Sequence, residues 1–164
     1  MFFTRRRIIL IFAVAAVAGT IIILPYISSL TATGLDRVTI ELLDVELAPV
    51  SQEQDQIDVV FRLTNPTDKT VTTSKIEYDL IADNTELGNS ILSYEDVPPN
   101  GRPTILPHRS INLTSPFQLP TSQPTQIIFS KLTNSSSDID WKVEGVARIE
   151  SAVTLHEKPF TDEL

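Results

Sequence analysis

The chain has 164 residues, a formal net charge of −8 and no cysteine. This length suffices for one domain of ordinary size beside an apolar N-terminal segment, and the lack of cysteine excludes a disulfide framework, a thiol nucleophile and a thiolate metal site. All of the acidic residues lie in residues 36–164, which hold 10 Lys and Arg against 21 Asp and Glu. Such an acidic body disfavours nucleic acids and anionic lipid surfaces as partners, because basic residues bind both.

The N-terminal segment predicts a transmembrane helix over residues 8–27. This stretch is uncharged and reaches the roughly 20 residues that a helix needs to cross a bilayer. Arg5, Arg6 and Arg7 precede it, so residues 1–7 are predicted to be cytoplasmic and the rest of the chain to lie outside. The alternative is a cleaved signal peptide, since residues 16–18 (Ala-Val-Ala) resemble a cleavage site. Either interpretation puts the C-terminal domain on the outer side of the membrane.

Residues 28–37 are small and polar without periodicity, which predicts a tether between the membrane and a domain that spans residues 38–164. The first strand of this domain is predicted to begin near Val38, where apolar and polar residues alternate as far as Leu42. The apolar phase then slips by one residue to Leu43, as happens at a β-bulge.

The clearest strand in the chain alternates four large apolar residues with other residues between Ile57 and Leu63. It is predicted to end at Asn65-Pro66, because proline has no N–H to donate to a ladder. A hairpin is predicted to follow. Its first arm contains Ile76, Tyr78 and Leu80, its turn covers residues 83–89, and its second arm is the apolar run at residues 91–97.

Seven of the eleven prolines lie between Pro98 and Pro124, which excludes a long helix there and predicts brief strands at sheet edges. Residues 126–132 fit a strand or one or two helical turns equally well, because their apolar residues are contiguous. The last predicted strand covers residues 141–150, with Gly145 at a point where a neighbouring strand can approach closely. About seven such strands predict an all-β fold, an antiparallel β-sandwich.

Four segments of this body resemble the water-stress and hypersensitive-response (WHy) domain, which occurs in atypical late embryogenesis abundant (LEA) proteins and in small archaeal and bacterial relatives. The segments are IDVVFRLTNP (57–66), VTTSKIEYDLIADNTELGNS (71–90), VPPNGRPTILPHRSINLTSPFQL (97–119) and WKVEGVARIESAVTLHEKPF (141–160). The motif residues are Asn65, Pro66, Gly88 and Gly145. The likeness covers the whole body, and the order and spacing of the segments carry it.

The resemblance implies an immunoglobulin-like or fibronectin-III-like β-sandwich without catalytic residues or a cofactor, and a link to desiccation and other stress. The chain departs from the family pattern in two ways. Thr67 follows Pro66 where a second asparagine is common, and a membrane anchor precedes the domain. The protein therefore looks like a membrane-anchored member of the archaeal or bacterial type, whose protective role would lie at the outer membrane surface.

Two N-glycosylation triplets begin at Asn112 and Asn134, and the compartment inferred above would make both accessible. His108 and His156 are the two histidines, and they lack companions at metal-ligand spacing, so no metal site is predicted. Enzyme activity is not expected, since it would require Glu95 and Asp96 to converge with His108 in a cleft.

The sequence thus predicts a non-enzymatic outer domain that binds or protects proteins or envelope components under stress. Its predicted partners are the lipid bilayer, through the N-terminal helix, and membrane or envelope proteins. No small-molecule substrate and no cofactor are predicted. The alternative is an accessory structural subunit of a membrane complex, since small residues in the predicted helix (Ala13, Ala15, Ala16, Ala18 and Gly19) permit close helix packing.

Overall fold

The computed structural model describes residues 34–48, 56–133, 139–152 and 154–164. The elements follow in the order β1 (Thr39–Leu47), β2 (Gln56–Asn65), β3 (Val71–Ala82), β4 (Thr85–Ser93), β5 (Thr104–Ile105), β6 (Arg109–Gln118), α1 (Gln123–Thr133), β7 (Trp141–Ser151) and β8 (Thr154–Glu163), with 3-10 turns at Leu35–Arg37 and Pro99–Gly101. In these ranges no helix has the length and apolar character needed to cross a bilayer. The predicted anchor at residues 8–27 and Arg5, Arg6 and Arg7 lie outside them.

The strands form two antiparallel sheets. The smaller sheet has the order β1-β2-β6, and the larger sheet has the order β4-β3-β7-β8, with β5 beside the start of β3. The predicted antiparallel β-sandwich is confirmed, with three long strands in one sheet and four in the other. Eight strands are present in the described residues where about seven were predicted.

The core lies between the sheets because β1, β2, β3, β6 and β7 each turn an apolar face inward. On β2, all four inward residues from Ile57 to Leu63 are fully buried. Phe61 packs edge-to-face on Tyr78 of the larger sheet, with ring centroids 4.9 Å apart, and also on Phe160 of β8, at 6.0 Å. Such aromatic pairs contribute about 0.5–1.5 kcal/mol beyond the area they bury.

The β1 bulge is confirmed at the predicted place. The pairing of β1 with β2 shifts between Leu42 and Asp44, so that Leu43 is the extra residue. At the bulge the Leu42 N–H donates to the Asp162 carboxylate of β8, at 2.6 Å. The two sheets are thereby joined by a hydrogen bond along the edge where β1 lies over β8.

The hairpin formed by β3 and β4 is confirmed, but its predicted turn at residues 83–89 is too long. The turn consists of Asp83 and Asn84 alone, and both have left-handed backbone angles, with φ of 48° and 61°. Two consecutive left-handed residues give the tight turn that suits the twist of a hairpin, and Asp and Asn tolerate this conformation. The residues from Thr85 onward therefore belong to β4.

Four further predictions need correction or completion. The ambiguous residues 126–132 are helical and lie within α1. The main strand in the proline-rich stretch, β6, has ten residues and is therefore not brief. It does lie at a sheet edge, as predicted, and carries Pro116 there. Residues Thr154–Glu163 form β8, a strand beyond the last one predicted. The domain also begins before residue 38, because Leu35, within the predicted tether, is buried in the core.

Candidate functional site: motif residues, polar clusters and the outer face of the larger sheet

Asn65 builds a buried polar corner at the end of β2. Its Nδ2 donates to three carbonyl oxygens, those of Lys69 at 2.7 Å, Ile105 at 3.1 Å and Leu106 at 3.2 Å. Its Oδ1 accepts from the N–H and the hydroxyl of Thr67, at 3.0 and 2.7 Å. We call this set, residues 65–69 with the carbonyls of 105 and 106, the Asn65 corner. It ties the β2–β3 turn to β5 and has the geometry of a structural element.

The two motif glycines also have structural roles. Gly88 has φ of +131°, a conformation that L side chains rarely adopt, and lies where the β3–β4 pairing shifts register. A Cβ on Gly145 would lie 2.2 Å from the carbonyl oxygen of Glu77 and 3.0 Å from the ring of Phe160. The predicted close approach at Gly145 is confirmed, and Phe160 is the side chain that uses the space. The motif residues thus build the scaffold.

A hydroxyl pair joins the two sheets inside the core. The Tyr78 hydroxyl donates to Ser115 Oγ on β6, at 2.9 Å. Burial raises the pKa of the Tyr78 phenol above its ordinary value, against the opposing effect of the hydrogen bond to Ser115. The phenol is therefore neutral at physiological pH and serves as a buried inter-sheet link.

The structure describes one of the two predicted glycosylation sites. Asn112 is exposed on the outer face of β6, with Arg62 opposite it on β2. Thr114, the third residue of the triplet, is exposed on the same face, and Leu113 between them points into the core. Asn134 lies outside the described residues.

The residues considered for catalysis do not converge. His108, at the tip of the β5–β6 turn with φ of 55°, places Nε2 2.8 Å from Asp68. Glu95 instead pairs with Arg148, and His156 lies on β8 opposite Ile149. Within the part of the chain that the structure describes, no group of three or more His, Asp or Glu side chains could hold a metal ion.

Two arginines fasten the β4–β5 loop to the larger sheet. The Arg102 Nη1 lies 2.7 Å from Glu150, and its Nε donates to the carbonyl oxygen of Val97 within the loop. The Arg148 guanidinium pairs with Glu95 of the loop and, at 3.0 Å, with Glu157 of β8. We call these five charged residues the arginine clamp. Its side chains range from 15% exposed in Arg102 to 58% exposed in Glu157, whereas Asn65 is fully buried.

The outer face of the larger sheet carries a shallow groove of about 350 Å³ over β4, β3 and β7. Strand register places Ile91, Glu77 and Val146 in one row across these strands, and Asn89, Asp79 and Glu144 in the next. Ile91 is 56% exposed and Val146 39% exposed. The first row, which we call the apolar row, thus has two apolar side chains on either side of Glu77, and it lies beside an acidic row.

One sequence signal could have located this groove. Val146 occupies the outward phase of β7, where its neighbours on the same face are Lys142, Glu144, Arg148 and Glu150. A β-branched apolar residue among charged ones marks an exposed apolar position once the strand is known. The partner Ile91 could not be found in this way, because it is contiguous with Leu92 in an unbroken apolar pair.

No protein-family model matches the sequence, and no curated protein matches it significantly. Solved structures do share its fold. A solution structure of an Arabidopsis thaliana protein has a TM-score of 0.52 and 17% identity, over 75% of this chain and 76% of that one.

Two further structures have lower scores. A protein from Archaeoglobus fulgidus has a TM-score of 0.45 and 12% identity, over 77% of this chain and 92% of that one. A candidate late embryogenesis abundant (LEA) protein has a TM-score of 0.43 and 14% identity, over 87% and 85%. The Arabidopsis structure supports the β-sandwich fold, and at such identity the fold alone.

Proposed function

We propose that this chain is a non-enzymatic β-sandwich protein of the WHy type, anchored in the cell membrane, whose outer domain binds and protects other proteins during dehydration or related stress. The observation that carries the proposal is that the residues shared with the WHy domain are structural, whereas the groove is formed by other, exposed residues. Asn65, Gly88 and Gly145, which carry the resemblance to the WHy domain, are used to build the scaffold. A function of such a domain would therefore be exerted through its surface.

The surface supports contact with proteins. The outer face of the larger sheet exposes Ile91 and Val146 beside Asp79 and Glu144. Exposed apolar side chains rimmed by charge are typical of protein contact surfaces. The net charge of −11 in residues 36–164 also keeps such a domain soluble and well separated from its own copies as water is withdrawn.

A drying assay tests the protective function. A client enzyme is dried and rehydrated with the full chain or with an equal mass of an inert globular protein of similar net charge. We expect higher recovered activity with the full chain. Equal recovery with the two additives would contradict the proposal, because protection would then follow from protein mass and charge alone.

The membrane anchor and its orientation form the second part of the proposal. They are supported by the uncharged residues 8–27 and by Arg5, Arg6 and Arg7 before them. Protease added to intact cells should digest the domain, and the mass of the undigested protein should be that of the full 18.2 kDa chain. Digestion only after lysis would overturn the orientation, and a smaller mature mass would indicate a cleaved signal peptide.

The same surface also suits a permanent subunit contact, which is the second candidate function. In that case the groove would be occupied by one fixed neighbour in a membrane complex. Extraction in a mild detergent and native sizing separate the two functions. A complex subunit should migrate far above its own mass, whereas a protective domain that contacts clients transiently should not.

A further inference from the structure

The groove on the outer face of the larger sheet is asymmetric across its apolar row. On one side, the neighbouring row contains the exposed carboxylates Asp79 and Glu144. On the other side, the neighbouring row contains Lys75 and Arg148. Both are already in ion pairs: Lys75 with Glu77, and Arg148 with Glu95 and Glu157. A ligand lying over Ile91 and Val146 would therefore find available negative charge on one side.

The acidic side retains charge that its neighbours do not neutralise. Glu144 has Lys142 at 3.0 Å, but Lys142 is shared with Glu163 at 3.6 Å. No Lys, Arg or His nitrogen among residues 34–48, 56–133, 139–152 and 154–164 lies within 4 Å of the Asp79 carboxylate. Electrostatic complementarity therefore favours a cationic partner at this row.

The outer face of the smaller sheet provides an internal contrast. It is also acidic, with Glu41 and Glu46 exposed on β1 and one basic residue, Arg62, at its centre on β2. The exposed Leu47 does not belong to this outer face, because it pairs with the inward-facing Ile57 at the end of β1. Of the two faces, the larger sheet alone combines a central apolar pair with carboxylates among the described residues.

We propose that this groove binds a cationic, aliphatic segment of a client protein. Aliphatic side chains of the client cover Ile91 and Val146, which lie two strands apart on either side of Glu77, and a neighbouring Lys or Arg reaches Asp79 and Glu144. This inference rests on the proposed protective function, which it deepens by naming the chemistry of the client. Apolar cover alone would not select among clients, whereas the adjacent carboxylates select basic ones.

The test measures binding of labelled synthetic peptides to the full chain in a non-ionic detergent, with detergent alone as the blank. One peptide alternates lysine with leucine, and its control alternates lysine with serine. We expect the lysine–leucine peptide to bind several-fold more tightly. Raising NaCl from about 0.05 M to about 0.5 M should weaken binding, because salt screens exposed charges.

Variants then locate the binding site. Ile91→Ser should weaken binding of the lysine–leucine peptide about fivefold through lost apolar contact. Asp79→Asn combined with Glu144→Gln should weaken it about five- to tenfold through lost charge. The matched control, Glu41→Gln combined with Glu46→Gln, removes two charges from the smaller sheet and should leave the affinity within about twofold. All of these positions are exposed, so each variant should keep the circular dichroism spectrum of the parent.

The outcomes separate the two proposals. No binding of the lysine–leucine peptide, or equal weakening by the control pair, would overturn the groove inference, because binding would then be absent or would follow net charge alone. In the drying assay, a basic client should lose protection with the groove variants and keep it with the control pair. If the groove variants protect the client as well as the parent does, the groove is not the client-binding site, although the protective function itself would still hold. A parent chain that protects no better than inert protein would overturn that function itself.

Discussion

The Asn65 corner holds the β2–β3 turn and the arginine clamp holds the β4–β5 loop, the first with neutral hydrogen bonds and the second with ion pairs. The corner uses one buried neutral amide with hydrogen bonds to five groups. The clamp uses five charged side chains that stay in contact with water. A fully buried polar group that loses its partner cannot turn to water, whereas a partly exposed ion can. We therefore expect the Asn65 corner to contribute more to the free energy of unfolding than the arginine clamp.

Replacing Asn65 should produce the largest effect. Asn65→Ala leaves buried carbonyls and the Thr67 N–H without partners and should lower the free energy of unfolding by about 3–5 kcal/mol. Asn65→Asp keeps the acceptor for Thr67 but loses the donors and places a carboxylate among carbonyl oxygens, so it should not rescue stability. Denaturant unfolding of the two variants measures this, with the exposed Asn112→Ala as control. A loss below about 1 kcal/mol would show that the corner is dispensable.

A steric change in the core should come second. Gly145→Ala places a methyl group against the backbone of β3 and the Phe160 ring and should cost about 2–3 kcal/mol. The control is Gly34→Ala, whose new methyl would meet its nearest neighbour, Thr67, at an ordinary 3.6 Å. The midpoints of thermal unfolding of the two variants give the result. Equal midpoints would mean that β3 and β7 can separate at no cost.

The buried Tyr78 hydroxyl should contribute less to stability than the Asn65 corner, because it makes one hydrogen bond between the sheets. Tyr78→Phe removes the inter-sheet hydrogen bond and should cost about 1 kcal/mol at neutral pH. Because burial raises the Tyr78 pKa, the folded state keeps a proton that the unfolded state releases above pH about 10. Stability should therefore fall as pH rises above that value, and Tyr78→Phe should lose less stability there. Chemical denaturation at neutral and alkaline pH measures both effects. Tyr94→Phe is the control at neutral pH for a tyrosine without this bond, since burial also raises the pKa of Tyr94 and its replacement should reduce the alkaline loss as well.

The clamp should show the smallest effect. Arg148→Met should change stability by about 0.5 kcal/mol, and the change should shrink in high salt. The Arg148 Nε is buried and finds no partner among the described residues, which offsets part of the gain from its ion pairs. Unfolding at low and high salt provides the measurement. A loss that matches Asn65→Ala would reverse our ranking of buried neutral over exposed charged contacts.

Strands with strong alternation could be predicted from the sequence, and weakly patterned ones could not. The inward residues of β2 define that strand without reference to the rest of the chain, and the phase slip after Leu42 locates the β1 bulge. In β8 only Phe160 is buried, and Pro159 precedes it, so local pattern gives no sign of a strand. Its existence depends on pairing with β7, which is a property of the tertiary structure.

The polar clusters were beyond sequence reasoning for a similar reason. Asn65 was identified as a motif residue, but its partners Ile105 and Leu106 lie 40 and 41 positions away. The groove likewise depends on strand order. Ile91 and Val146 lie in one row because β4 and β7 pair with opposite edges of β3. Residue types along a strand define which side chains share a face, whereas strand order defines which faces meet.

The bond between Leu42 and Asp162 has a consequence for biosynthesis. Its partners are 120 positions apart, so β1 gains this bond only after β8 has been synthesised. Until then the inward side of β1 lacks the cover that β8 provides. Contacts of such long sequence separation also slow folding, so completion of this domain is a late event in the synthesis of the protein.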